Sequence, residues 1–250
     1  GEFVHFQQPG STSAILNRVV GGRESSILGR IDANGRVFLV NPRGVYFGGD
    51  SKVETAGLTA SVLDIADQDF LQGRYVFQKP LGAGEAAITN AGEISTSQFT
   101  VLIGDKVSNE GLLSARLGTV VLAAGSKVTL QLDDAGLVNF AIDEATLAAR
   151  SGVENLGAIV ADGGRVLLSA KVADGLVTSA VNNEGLVQAR GIEEQDGEIF
   201  LRGAGAAVVN SGTLDASGPH GGKVTVTSSQ DITIGEGASV LARGEGSGAG

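Results

Sequence analysis

One short phrase recurs along the chain and limits the folds open to it: Asn, any residue, Gly, any residue, then an aliphatic. It reads "NAGEI" from Asn90, "NEGLL" from Asn109, "NLGAI" from Asn155, "NEGLV" from Asn183 and "NSGTL" from Asn210, at spacings of 19, 46, 28 and 27 residues. A second phrase, Gly followed by alternating aliphatics, comes after each of the last four: "GTVVL" from Gly118, "GRVLL" from Gly164, "GEIFL" from Gly197 and "GKVTV" from Gly222. Asn tolerates left-handed backbone and bonds its own turn, Gly supplies positive φ, and the alternating segment is a strand with one face inward. Each phrase is a corner plus a strand. Repeated without an amphipathic helix between, such units stack strand on strand into a parallel β-helix.

Composition agrees with a solenoid. Of 250 residues 39 are Gly and 4 Pro, and the apolar 42% is almost all aliphatic, with no Trp. That suits a narrow column of stacked Val, Leu, Ile and Ala rather than a broad aromatic core. At roughly 20 to 25 residues per coil and about 4.8 Å per coil, the expectation is about ten to twelve coils and a rod on the order of 50 Å. Val166 with Leu168, Ile199 with Leu201, and Val224 with Val226 are the expected inward ladders. The fold class is therefore all-β, a single right-handed parallel β-helix. Excursions are expected near 142–150, as one or two helical turns capped by Asp143 and stopped by Gly152, and near 172–181; they account for the 46-residue gap.

Several function classes are excluded or disfavoured. With no cysteine, there is neither a disulfide framework nor a thiolate metal site. The net charge is −10 and the 18 basic residues are scattered, so nucleic acid is not an expected partner. No apolar run reaches the length of a membrane span, and "GEFVHFQQPG" lacks the regions of a signal peptide. The chain starts on what reads as a strand and is expected to be a piece of something longer.

The segment 3–65 carries Gln8-Pro9, Asn17-Arg18-Val19, the Gly21-Gly22 turn, "SSILGRI" from Ser25, "GRVFLVNPRGVYFG" from Gly35 and "GLTASVLDI" from Gly57. In that order they resemble the haemagglutination-activity domain of filamentous-haemagglutinin-like exoproteins of bacterial two-partner secretion. "LVNFAIDEATLAA", "VENLGAIVADGGRVLLSAK" and "VVNSGTLDASG" are similar to the β-helical continuation of such exoproteins. The resemblance implies a division into 1–84, part of the secretion domain without its N-terminal cap, and 85–250, further repeats in the same solenoid. It implies export through an outer-membrane partner transporter with periplasmic docking domains, and a place outside a Gram-negative cell, secreted or on its surface. The family's corner reads Asn-Pro-Asn-Gly-aliphatic and serves transporter recognition. Here it is Asn41-Pro42-Arg43-Gly44-Val45, so Asn41, Pro42, Gly44 and Val45 carry over and Arg43 departs; Asn17, Arg18 and Val19 form the second family turn. On turn chemistry alone Asn-Pro-Arg-Gly is a corner of a β-helix: Pro42 fixes φ, Asn41 is pushed to extended backbone, and Gly44 takes positive φ. The resemblance adds that its exposed polar groups are read during secretion.

The carboxylates are the place to look for catalysis, because β-helices also include polysaccharide-cleaving enzymes. The candidates are Asp64, Asp67 and Asp69; Asp133 and Asp134; Asp143 and Glu144; and Glu193, Glu194 and Asp196. Two would have to lie about 5 to 10 Å apart across a sugar. All sit in segments read as turns, where charge ordinarily solvates the surface, so no catalytic, cofactor-binding or metal site is assigned. His5 and His220 fall in no nucleophile or metal motif, and no calcium repeat occurs. Tyr46, Tyr75, Phe77 and Phe200 are the candidates for an aromatic sugar platform. The expected function is the secretion-domain and rod portion of a large adhesin that attaches to cells, surfaces or biofilm polysaccharide, with the transporter as partner and carbohydrate or exopolysaccharide as a further one. The alternatives are a polysaccharide lyase or hydrolase and the stem of a contact-dependent toxin exoprotein.

Overall fold

A computed structural model describes residues 2–150, 152–192 and 195–244. Outside one antiparallel sheet its strands run in parallel, each pairing with the equivalent strand one coil away, so successive coils pile into one β-helix. The first wall is an eight-stranded sheet from Ser25–Ile27 through Val45–Phe47, Ala87–Asn90, Lys106–Asn109, Gly152–Asn155, Ser179–Asn183 and Ala207–Asn210 to Ile232–Ile234. The other two walls belong to one bent fifteen-stranded sheet, which the long strands Lys52–Ser61 and Glu93–Gly104 turn through without a break.

Register places the aliphatics as the alternation requires. Val37, Leu58, Thr100, Val120, Val166, Ile199 and Val224 stack in one column, and Leu39, Ala60, Leu102, Leu122, Leu168, Leu201 and Val226 in the next. Val120, Val166, Ile199, Leu168 and Leu201 are fully buried. The three inward pairs expected from the sequence thus sit side by side in neighbouring coils.

The recurring Asn forms a buried ladder. Asn90, Asn109, Asn155, Asn183 and Asn210 have no exposed surface. Each Nδ2 donates to the Oδ1 of the next coil's Asn, at 2.9, 2.8, 2.7 and 2.7 Å. The backbone repeats the contact: the N–H groups of Leu156 and Gly157 both donate to the Asn109 carbonyl, and those of Glu184 and Gly185 to the Asn155 carbonyl. A side chain that both donates and accepts along one axis is what an indefinitely stacked, water-free corner needs.

The glycine of the phrase has a different reason from the one read in sequence. Its φ is not positive at 92, 111, 157, 185 or 212. Instead, a Cβ on Gly157 would lie 2.2 Å from the Gly111 carbonyl oxygen, and one on Gly185 2.1 Å from that of Gly157. Glycine is required because consecutive backbones touch there.

Three expectations about the path change. Among the described residues the first wall is eight strands deep, short of ten to twelve coils, because 64–84 and 125–150 leave the solenoid. Those segments build a four-stranded antiparallel roof from Asp64–Ile65, Tyr75–Gln78, Lys127–Leu132 and Leu137–Glu144, laid over the outer face of the bent sheet. The excursion that lengthens the 46-residue gap is therefore a hairpin, and 142–150 holds no helix: the alternating "LVNFAI" pairs with Lys127–Leu132, and this tertiary pairing overrides the helix propensity of the Ala-rich stretch. The segment 172–181 is likewise an excursion without helix, a turn around Asp174 to Leu176. Among the described residues one helix does occur, Asp67–Leu71, inside the roof. Under the roof the outward column of Phe38, Val101 and Val121 is buried too, and Phe38 stacks on Tyr75 with ring centroids 5.1 Å apart.

A corner cleft shared by two motifs

The corner begins where the strand Arg36–Val40 ends. Asn41 is wholly buried there: its Nδ2 donates to the Arg23 carbonyl and to Ser25 Oγ, and its Oδ1 accepts the Arg43 N–H at 2.9 Å. The Gly44 N–H closes the turn on the Asn41 carbonyl. Gly44 has φ +117°, the conformation anticipated for it, and Val45 points into the core. Asn41 is therefore not an exposed recognition group; it ties two coils together, and of this turn only Arg43 stands in solvent. Arg43 makes no ion pair among the described residues.

The second family motif lies beside the first but is not the turn expected of it: Asn17 and Arg18 are the last residues of the strand Ala14–Arg18, held extended by parallel pairing with Leu39 and Val40. Asn17 sits opposite Leu39, with its Nδ2 buried and without a hydrogen-bond partner, and the Val19 N–H donates to the Val40 carbonyl. Arg18 reaches across to the roof: Nε donates to Asp64 Oδ1 at 2.8 Å, Nη1 to Asp67 Oδ1 at 2.6 Å, and Nη2 to the Ile65 carbonyl. The hydrogen bond to Asp67, with Asp64 adding to it, raises the guanidinium pKa further above its ordinary value. Arg18 is thus a clamp between the first coil and the roof.

These two motifs, separated in sequence, line one open cleft of about 380 Å³ through Arg18, Val19, Pro42 and Arg43, together with the loop from Pro80 to Ala83. Val20 is 91% exposed and Leu81 fully so, and they rim it with Pro42, Pro80 and Arg43. Two large aliphatics offered to solvent beside prolines and a cation make a surface suited to a protein partner. Neither aliphatic stands out in the sequence. Val20 directly follows the motif Asn17-Arg18-Val19 and Leu81 directly follows Pro80, but nothing in an isolated Val or Leu announces exposure.

Elsewhere the candidate carboxylates are tied into structure. Asp69 pairs with Arg74, Asp133 accepts the N–H groups of Ala135 and Gly136, and Asp143 accepts from Thr129. At Asp134 the backbone carbonyl, and not the carboxylate, accepts from Arg36; Glu144 lies 3.8 Å from Lys127, and Asp196 lies 3.8 Å from His220. Glu193 and Glu194 lie outside the described residues. Among the candidate aromatics, Phe77 is buried and Tyr75 is stacked under the roof, while Arg202 and Lys223 lie over Phe200 at 4.7 and 5.9 Å. Sequence reading passes over Asp105, which is 1% exposed and holds three segments: Lys79 Nζ at 2.7 Å, the Ala86 N–H at 3.0 Å and Thr146 Oγ1 at 2.7 Å.

A parallel solenoid with a roofed N-terminal half, carrying both motifs on one rim, is a fold shared with a solved secretion domain. The family model of the TPS secretion domain matches residues 1–216, and the chain belongs to that family. It is 35% identical over 206 residues to a heme/hemopexin-binding protein of Haemophilus influenzae strain ATCC 51907, covering 79% of this chain and 22% of that protein. A second Haemophilus influenzae protein of the same description is 30% identical over 219 residues, covering 79% of this chain and 23% of the relative. The chain thus spans less than a quarter of the curated relatives it matches. Among solved structures, the secretion domain of HMW1 from Haemophilus influenzae superposes with a TM-score of 0.80 at 27% identity, over 98% of this chain and 74% of that one. No helix among the described residues is long and apolar enough to cross a membrane.

Proposed function

We propose that this chain directs export of a larger adhesin through an outer-membrane partner transporter, and that the transporter's periplasmic domain docks on the cleft between Asn17-Arg18-Val19 and Asn41-Pro42-Arg43-Gly44-Val45. The observation that carries the reading is the convergence of both motifs, through Arg18, Val19, Pro42 and Arg43, on one rim with exposed Val20 and Leu81. In this division of labour Asn41, Gly44 and Val45 shape the corner, Arg18 fixes the roof beside it, and the exposed side chains make the contact. The first 84 residues supply the cleft and 85–250 the rod, a non-catalytic role that keeps a distal binding region clear of the secreting cell surface. The binding of cells, surfaces, carbohydrate or haem is assigned to the remainder of the full-length protein.

The test separates contact from folding. Val20→Asp with Leu81→Asp changes only exposed side chains and is expected to leave the melting temperature within about 2 °C while weakening binding to the purified periplasmic domain of the partner transporter at least about tenfold. Unchanged affinity would remove the cleft from the docking surface.

A further inference from the structure

We propose that the outer edge of the strand Tyr75–Gln78 is a strand-acceptor site, closed late in folding by the chain's own Lys127–Leu132 and open until then to any extended segment of the same pattern. Within the solenoid proper, a strand finds its partner one coil later. This strand does not. Its neighbour on one side is the two-residue Asp64–Ile65, and on the other it pairs antiparallel with a segment that comes only after the coils of 87–124, in the register Gln78 with Lys127, Phe77 with Val128, Val76 with Thr129 and Tyr75 with Leu130. A chain that stacks from its N-terminus leaves that edge's backbone groups unpaired while those coils form, and an unpaired edge is a template for another strand.

The fastening of the roof hairpin points the same way. Arg36, from an early coil, donates to the carbonyls of Asp133 and Asp134. Arg165 donates to those of Leu137 and Val138, and Lys171 to that of Asp143. Part of the hairpin's anchorage therefore belongs to a coil later than the hairpin itself. Closure cannot be complete before Lys171 is in place.

The occupant's chemistry is written in the segment that fills the site. Val128 and Leu130 are buried beside Phe77 and Tyr75, while Lys127 and Thr129 alternate outward. The acceptor takes a strand with two apolar residues at alternate positions and polar residues between them, by main-chain pairing.

The experiment uses the absence of cysteine. Val76→Cys with Thr129→Cys places the only two thiols directly opposite one another, within disulfide reach. The probe is a fluorescent peptide of residues 125–133. A Val128→Asp chain with an intact solenoid by circular dichroism is expected to bind the peptide, and the oxidised double-cysteine chain to refuse it. In the unmodified chain, pulsed hydrogen exchange during refolding is expected to protect the amides of Tyr75–Gln78 at least about tenfold more slowly than those of Thr119–Ala124. Absence of peptide uptake by a folded Val128→Asp chain overturns the proposal, as does uptake by the oxidised one. Should Val128→Asp not fold, the exchange order decides: simultaneous or earlier protection of Tyr75–Gln78 overturns it.

Discussion

Replacing Asn155 by Ala cuts the ladder at its middle. Asn155 accepts from Asn109 Nδ2 at 2.8 Å and donates to Asn183 Oδ1 at 2.7 Å and, more weakly, to the Leu186 carbonyl at 3.2 Å. All three ladder residues are fully buried, so no water replaces the lost partner. Two good hydrogen bonds of about 1 kcal/mol each disappear, the Asn109 donor falls back on its longer contacts to the Gly111 and Ala158 carbonyls, and the acceptor on Asn183 is left unsatisfied at about 1–3 kcal/mol, which gives about 3–5 kcal/mol. Asn210→Ala removes one ladder bond at the last rung, and the Asn183 donor keeps its longer contact to the Gly185 carbonyl, so at most about half that is expected. For a domain of this size about 2–4 °C per kcal/mol applies, which puts the loss for Asn155→Ala at about 6–20 °C. Urea unfolding followed by circular dichroism measures both variants; because a solenoid can unfold in parts, hydrogen exchange on the Asn109 and Asn183 coils should show the loss localised there. Equal costs at positions 155 and 210, or less than about 1 kcal/mol at 155, would refute the ladder as a continuous buried chain of hydrogen bonds.

Other perturbations follow from the same coordinates. Asp105→Ala leaves the largely buried Lys79 ammonium without its carboxylate and frees Thr146, and is expected to cost about 3 kcal/mol in urea unfolding, with little additional loss when Lys79→Ala is combined with it. Gly157→Ala pushes a methyl into the Gly111 carbonyl and should cost about 3 kcal/mol or abolish soluble expression, whereas Gly175→Ala, with positive φ but open space, should cost about 1 kcal/mol; thermal melts compare them. Burial pushes the Asp215 carboxyl pKa up, but hydrogen bonds from the Ser217 backbone and side chain and from Arg190, with that arginine's charge, hold it below the ordinary value. A depressed folded-state pKa stabilises above the unfolded value and is lost as pH falls through the folded one, so stability should decline below about pH 4, and Asp215→Asn should flatten that decline in urea midpoints taken from about pH 5 to 2.

The repeated Asn and the alternating aliphatics made the solenoid legible, because a period in sequence becomes a column in space. What they could not show is why the glycine recurs. Positive φ and a backbone contact one coil away both demand the loss of Cβ, and only the register of Gly157 on Gly111 distinguishes them. The roof was hidden for a different reason. Leu137–Glu144 is flanked by good helix formers, and its strand character comes from pairing with Lys127–Leu132, which itself needs Tyr75–Gln78. Of the candidate site, the segments at Asn17 and Asn41 were legible as motifs, but the strand that holds Asn17 extended, their meeting in one cleft, the burial of Asn41 and the exposure of Val20 and Leu81 are consequences of coil stacking that no local pattern encodes.

The most direct measurement is the amount of full-length protein released to the medium by cells that carry the partner transporter, for the wild type and for Val20→Asp with Leu81→Asp. The account predicts release reduced at least about tenfold, with the purified 250-residue segment melting as the wild type does. Undiminished release by the doubly charged rim would contradict it.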